Sequence, residues 1–353
     1  MQNKLAALLC ALCLTTCASQ EEPPQVNFHS APYPEKLSDW GLFSIGEDLS
    51  FADGVEVYDL NMPLFSDYAH KLRTIYVPPT STVGYHATDA FDFPVGTIVS
   101  KSFLYRTDNN RIQLDAKWDG DPNSLETSQA RFLETRLLVK QETGWDALPY
   151  IWRGDDAYLA ISGDLMTLAT STGDLNYLVP SKNQCASCHA TNHTTGAIQP
   201  IGLKARHLNR PQPGKTTNQL TVLPLNELPD HLPKGASWEE KDLEHKARSY
   251  LDINCGHCHN PQGAADTSGL LLDYQDHSLR DMGACKPPIA AGRGSGGFLY
   301  SIVPGEADES IMTFRLATTD PGAMMPELGR SVVHQEGLEL VRDWINSLEG
   351  QCL

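Results

Sequence analysis

Two short stretches hold the residues whose types and spacing are best suited to chemistry: Cys185-Ala186-Ser187-Cys188-His189 and Cys255-Gly256-His257-Cys258-His259. Both are C-x-x-C-H. At that spacing two thiols reach the two vinyl groups of one porphyrin, and the adjacent His lies beneath the iron. The pattern predicts two covalently attached c-type haems, one on Cys185 and Cys188 and one on Cys255 and Cys258. His189 and His259 would be the proximal iron ligands. A four-cysteine zinc site would pair its C-x-x-C units at about 15–20 residues, far closer than Cys188 is to Cys255. A thioredoxin-like pair would sit beside a βαβ pattern, which is absent here. Structural disulfides alone would leave the His after each pair unexplained.

The N-terminus suits this chemistry. MQNKLAALLCALCLTTCASQ has Lys4, an apolar run from Leu5 to about Thr16, and small residues at Cys17, Ala18 and Ser19. That is the pattern of a secretory signal peptide, expected over 1–18. The run falls short of the roughly 20 apolar residues of a membrane helix. Cleavage after Ala18 and lipidation of Cys17 are the two processing outcomes; a lipid at Cys17 would be the one membrane attachment. Either places the protein in the periplasm or cell envelope, under oxidising conditions.

The 353 residues include 27 Lys and Arg against 44 Asp and Glu, a formal charge of −17. That balance argues against nucleic acid or an anionic membrane surface as partner, since phosphate binding needs a positive field. It favours a basic redox partner. Nine Cys are accounted for as follows. Cys10 and Cys13 leave with the signal peptide, Cys17 is lipidated or removed, and four carry haem. Cys285 and Cys352 remain as a candidate disulfide.

Hydrophobic patterning divides the rest. Residues 26–180 are expected to form a β-rich sandwich or barrel-like domain, with strands near Thr74–Val77, Gly96–Arg106, Arg111–Trp118, Arg131–Lys140, Tyr150–Arg153 and Ala157–Ile161. In Arg131–Lys140, Leu133, Leu137 and Val139 share one parity. Residues 181–236, broken by prolines, hold the first haem motif. Residues 237–353 read as a mostly α-helical cytochrome c domain. In it Ser237 and Glu240 predict a capping box, Leu243, Ala247, Tyr250 and Leu251 one helical face, and about Val333–Leu348 a last amphipathic helix. The expected class is therefore α+β. Gly292-Arg293-Gly294-Ser295-Gly296-Gly297 lacks the strand and G-K-[ST] of a phosphate loop; a loop near a haem, with Arg293 or Lys286 toward a propionate, is the alternative.

The surroundings of the second motif resemble class I cytochromes c. A helix runs into Cys255, and Ala323-Met324-Met325-Pro326 precedes the last helix, where that class places its distal Met. The resemblance implies Met325, next to the Pro, as sixth ligand of the second haem, with Met324 the other candidate; thioether ligation raises the potential. Around the first motif, Pro200 stands where that class has a Pro whose carbonyl accepts the proximal His N–H. Its distal ligand stays open among His207, His231, His70, His86, Met62, Met166 or none, with His193 too close to His189.

Longer stretches, PLFSDYAHKLRTIYVPP, FPVGTIVSKSF, RFLETRLLVK with GWDALPYIW, and NQCASCH, resemble a family of exported diheme c-type cytochromes of unestablished role. ARSYLDINCGHCHNPQGAADTSGL, CKPPIAAGRGSGG and DPGAMMPELGR extend the likeness over nearly everything after the signal segment. The family module also occurs fused to propeller domains similar to quinone-dependent sugar dehydrogenases. The resemblance thus implies electron exchange with a redox protein, a quinone-dependent dehydrogenase or a soluble cytochrome. Electron carriage is the expected role; a diheme peroxidase acting at the first haem, and a β-rich docking module for a dehydrogenase, are the alternatives.

Overall fold

A computed structural model describes residues 24–353 apart from Asp276 and Ala290. The expected signal peptide, with Cys10, Cys13 and Cys17, lies outside the described residues. The fold is α+β. A hairpin of β1 (Phe43–Ile45) and β2 (Leu49–Phe51) precedes an antiparallel sheet. That sheet contains β3 (Val55–Tyr58), β4 (His70–Tyr76), β5 (Ile98–Asp108), β6 (Arg111–Ile112), β7 (Ala130–Gln141), β8 (Gly144–Arg153) and β9 (Asp156–Leu159). Its order is β3-β4-β5-β7-β8-β9, with β6 appended to β5. A second hairpin, β10 (Asp164–Ala169) and β11 (Asp174–Val179), follows.

Two strand expectations change. Arg111–Trp118 is strand only over Arg111–Ile112. Beyond it the Trp118 indole donates to the Asp121 carbonyl (3.0 Å), and Asp119 accepts from the Asp121 N–H (3.0 Å). Such local bonds offer the backbone an alternative to a ladder. In β7 the pairing with β5 shifts register at Phe103/Leu104. A bulge of this kind turns side chains to the other face. Leu133 therefore packs with Phe103 and Tyr177, while Leu137 and Val139 pack with Trp40 and Tyr150.

After Val179 the chain is mainly irregular, with five short α-helices: α1 (Lys182–His189), α2 (Ala205–Leu208), α3 (Leu243–Leu251), α4 (Ile311–Ala317) and α5 (Gln335–Ser347). No mostly helical domain emerges. The Ser237/Glu240 capping box is not used. Asp242 caps α3, accepting from the His245 N–H (2.9 Å), and Ser237–Glu240 closes a turn instead. Asp is as good an N-cap as Ser. On α3, Ala247, Tyr250 and Leu251 are buried as expected, and α5 buries Leu338, Val341, Trp344 and Ile345 against them. Gly337 of α5 permits this crossing, because a side chain there would collide with the Tyr250 hydroxyl.

The largest hydrophobic cluster joins Tyr58, Ile75, Val99 and Leu138 of the sheet to Cys185, Leu203, Tyr250 and Trp344 of the later chain. The β-rich span and both motifs thus share one core. Among the described residues no helix is long and apolar enough to cross a membrane.

Cys285 and Cys352 are disulfide-bonded, with Cα atoms 5.1 Å apart and a sequence separation of 67. Closing a loop of that length restricts the unfolded chain. A Cys352→Ser variant is expected to lose roughly 2–4 kcal/mol of stability in denaturant titration and to become insensitive to reductant. Unchanged stability would mean the bridge does not constrain the chain.

Candidate functional site

The first motif is itself a helix. Val179 ends β11, and Ser181 then caps α1 with a reciprocal pair of bonds. The Gln184 N–H donates to Ser181 Oγ (3.3 Å), and the Ser181 N–H donates to Gln184 Oε1 (2.9 Å). Helical spacing then places Cys185, Cys188 and His189 on one face, since residues three and four apart are neighbours. The His189 Nδ1–H donates to a backbone carbonyl at 2.7 Å. The acceptor is Gln199, the residue before Pro200, and not Pro200 itself. Such a bond orients an imidazole ligand and leaves Nε2 for a metal. Burial, with help from the Lys101 ammonium, lowers the His189 pKa to about 4, so the ring is neutral at pH 7 as ligation requires.

The second motif is reached differently. α3 widens into one π-helical turn, Asp252–Gly256, which contains Cys255 and leads to His259; such turns are frequent at functional sites. Asn254 in that turn accepts from the Phe65 N–H (2.8 Å) and donates to the Pro63 carbonyl (3.3 Å), tying the motif to the loop between β3 and β4. Asp252 is clamped by both Arg206 guanidinium nitrogens, Nε and Nη2 (2.6 and 2.7 Å). His259 Nδ1 lies 3.1 Å from Ser268 Oγ, and burial lowers the His259 pKa to about 4.

Beside this motif a cleft of about 410 Å³, open mouth included, is lined by Cys255, Met325, Phe65, Tyr250, Leu316 and His334, among others. An attachment cysteine and a thioether thus face one largely apolar space. Met325 is placed there by its backbone: its N–H donates to the Arg315 carbonyl (3.0 Å), and its own carbonyl accepts from Arg330 Nε (3.0 Å). Met324 does not line the cleft and is buried.

The two motifs touch. The Cys188 and Cys258 thiols interact, which holds the Cys188 thiol below its ordinary range and pushes the Cys258 thiol up. Cys258 Sγ also lies 3.5 Å from the Ser187 carbonyl. The segments after each motif are laced together: the His193 N–H donates to the Gln262 carbonyl (2.8 Å), and Asn192 Nδ2 donates to Gln262 Oε1 (2.8 Å). All four motif cysteines are free of disulfides. No group of three or more His, Cys, Asp or Glu among the described residues is arranged to hold a metal.

The candidate distal ligands for the first haem have varied surroundings. His207 is buried and directs Nε2 to Asp252 at 3.0 Å. His70 faces the opposite side of β4 from its neighbour Lys71, edge-on to Trp118. His86 and His231 are exposed, Met62 is fully buried in the main core, and Met166 packs beside Leu168 and Tyr177. His193 is held by the Gln262 and Gly263 carbonyls. Arg293 pairs with Asp320 (2.7 Å) on the surface, and Lys286 donates to the Gly269 carbonyl.

The sequence reading missed Phe65 and His334. Their rings stack at 4.2 Å with Tyr68 and Trp238 edge-on to His334, and the Tyr250 hydroxyl lies 3.0 Å from His334 Nδ1. These contacts link distant segments, so no spacing rule reveals them. Burial lowers the His334 pKa from 6.5 to about 4. Between those values the unfolded chain binds a proton that the folded chain refuses, so stability falls as pH drops from 6.5 toward 4. The limit is on the order of 3 kcal/mol. A His334→Phe variant, which keeps the stack, should show a flatter decline in Tm between pH 7.5 and 4.5; an unchanged slope would contradict the assignment.

Comparison with models of known families, with curated proteins and with solved structures finds no match for this chain.

Proposed function

We propose that the chain is a diheme c-type cytochrome that carries electrons between redox partners in the bacterial cell envelope, as its resemblance to the exported diheme family implies. The observation that carries this reading is the contact between two C-x-x-C-H motifs, each with a neutral, half-buried His whose Nδ1 is already engaged. Haem bound there would supply one-electron cycling of its iron between ferric and ferrous states. Cys185 and Cys188 would hold one group, and Cys255 and Cys258 the other. His189 and His259 would be the proximal ligands, and Met325, which shares a cleft with Cys255, would supply the sixth ligand of the second group. We read residues 237–353 as a class I-like cytochrome unit whose usual helical packing is replaced in part by Phe65 and Tyr68 from the β-rich span. Because the two motifs touch, groups held on them would be close enough for an electron entering at one to leave by the other. The acidic surface then favours a basic redox protein, in a small and weak encounter.

The test is a redox titration of the exported protein together with electron exchange to a basic soluble cytochrome. Two resolved one-electron steps, exchange that weakens with salt, and no peroxide turnover are expected. Rapid peroxide consumption would replace carriage with the peroxidase alternative.

A further inference from the structure

The face of the sheet toward α1 is unusually cationic. The register sets Lys71, Phe103 and Glu134 in one row and Arg73, Lys101 and Arg136 in the next. Arg136 is bidentate to the fully buried Glu134 (2.8 and 2.5 Å), which also accepts from the Tyr177 hydroxyl (2.7 Å). Asp59 is shared by Arg73 (2.6 Å) and Arg210 (2.9 Å). Those carboxylates are therefore taken. Lys71 and Lys101 have no carboxylate within ion-pair distance among the described residues; Lys71 donates only to the Ala69 carbonyl (2.9 Å). Both ammonium groups sit near the Phe103 ring, at 5.8 and 5.5 Å from its centre.

Unpaired charge away from water costs several kcal/mol, and buried ammonium groups are normally paired. Both lysines lie deep enough that burial is the main influence on their protonation, yet both keep some accessible surface. The first motif lies against this face of the sheet: Cys185 packs in one cluster with Val99, two residues before Lys101 on β5, and Lys101 acts electrostatically on His189 and Cys188, and Arg136 on Cys185.

We infer that Lys71 and Lys101 form an anion cradle for the two propionate carboxylates of the porphyrin carried by Cys185 and Cys188. The numbers match: two ammonium groups without a carboxylate partner, and two carboxylates on one porphyrin. The cradle explains why a β-sheet accompanies the first motif, which lacks the helical surroundings of the second. Arg136, held by Glu134 and paired beside Lys101, adds to the positive field of this face. This assignment rests on the diheme reading above.

The experiment uses the exported holoprotein and its Lys71→Gln, Lys101→Gln and Lys101→Arg variants. Haem content, both midpoint potentials and the axial-ligand signature in electron paramagnetic resonance are measured. The potential that moves in a Met325→His variant belongs to the second haem, so the other reports the cradle. Removing a positive charge favours ferric iron. Each Gln variant should therefore lower the first-haem potential with its ligand signature intact, and Lys101→Arg should stay near wild type. Two haems with unmoved potentials in both Gln variants would overturn the cradle and leave the diheme reading standing. A changed ligand signature in Lys101→Gln would place that amine on the iron instead, also overturning it. Wild type without covalent haem would overturn both.

Discussion

Replacing Met325 by His should lower the midpoint potential of one haem by a few tenths of a volt and leave the other nearly in place. Axial ligands set haem potentials over a range of roughly 0.8 V, and Met opposite His lies toward the upper end. Met325 shares its cleft with Cys255, and its backbone is held on both sides, by the Arg315 carbonyl and by Arg330. The substituted imidazole would enter the same space. A Met324→Leu variant should leave both potentials unchanged, since that side chain is buried away from the cleft. Movement of both potentials in Met325→His would mean strong coupling between the haems. Movement in Met324→Leu alone would reassign the ligand.

The second large effect is on stability. Asp252 opens the π-helical turn that contains Cys255 and is buried with Arg206 and His207. Burial opposes its charge, but His207 and Arg206 outweigh it and hold the carboxyl well below the usual carboxylate range. His207 itself is pushed down by burial. With Nδ1 buried and without a partner, it serves as a neutral Nε2–H donor. Asp252 also accepts from the Tyr274 N–H (3.0 Å), and Arg206 donates to the Thr88 carbonyl (2.6 Å), so one pair ties three segments to the motif. An Asp252→Leu variant strands the Arg206 charge and should cost roughly 3–5 kcal/mol in denaturant titration. The double variant Arg206→Met/Asp252→Leu should recover most of that loss, because a buried ion pair is often replaceable by apolar groups of similar volume. A loss below about 1 kcal/mol in the single variant would show that water reaches Arg206.

How much of this was legible depends on the range of the interaction. The two C-x-x-C-H motifs, the α3 and α5 faces and most strands are local patterns, and each stands within a few residues of its reading. The pairing of Cys285 with Cys352 followed from counting the cysteines that remained. Pro200 pointed to the right turn, but the acceptor was the carbonyl one residue earlier. The parity of β7 misled at Leu133, because one bulge reverses a face. The cap of α3 misled because Ser237 and Asp242 are equally good caps and only packing chooses between them. Phe65, His334 and the Lys71 and Lys101 pair were illegible. Their meaning lies in what distant segments bring beside them, and an alternating strand does not say which face will meet a cysteine motif.

The most direct test of the central claim is a count of covalent haem on the exported chain, by reduced pyridine haemochrome absorbance together with intact mass. The account predicts two haems per chain, and one in each of the paired variants Cys185→Ala/Cys188→Ala and Cys255→Ala/Cys258→Ala. A chain with four free motif thiols, no covalent haem or a bound zinc ion would contradict it.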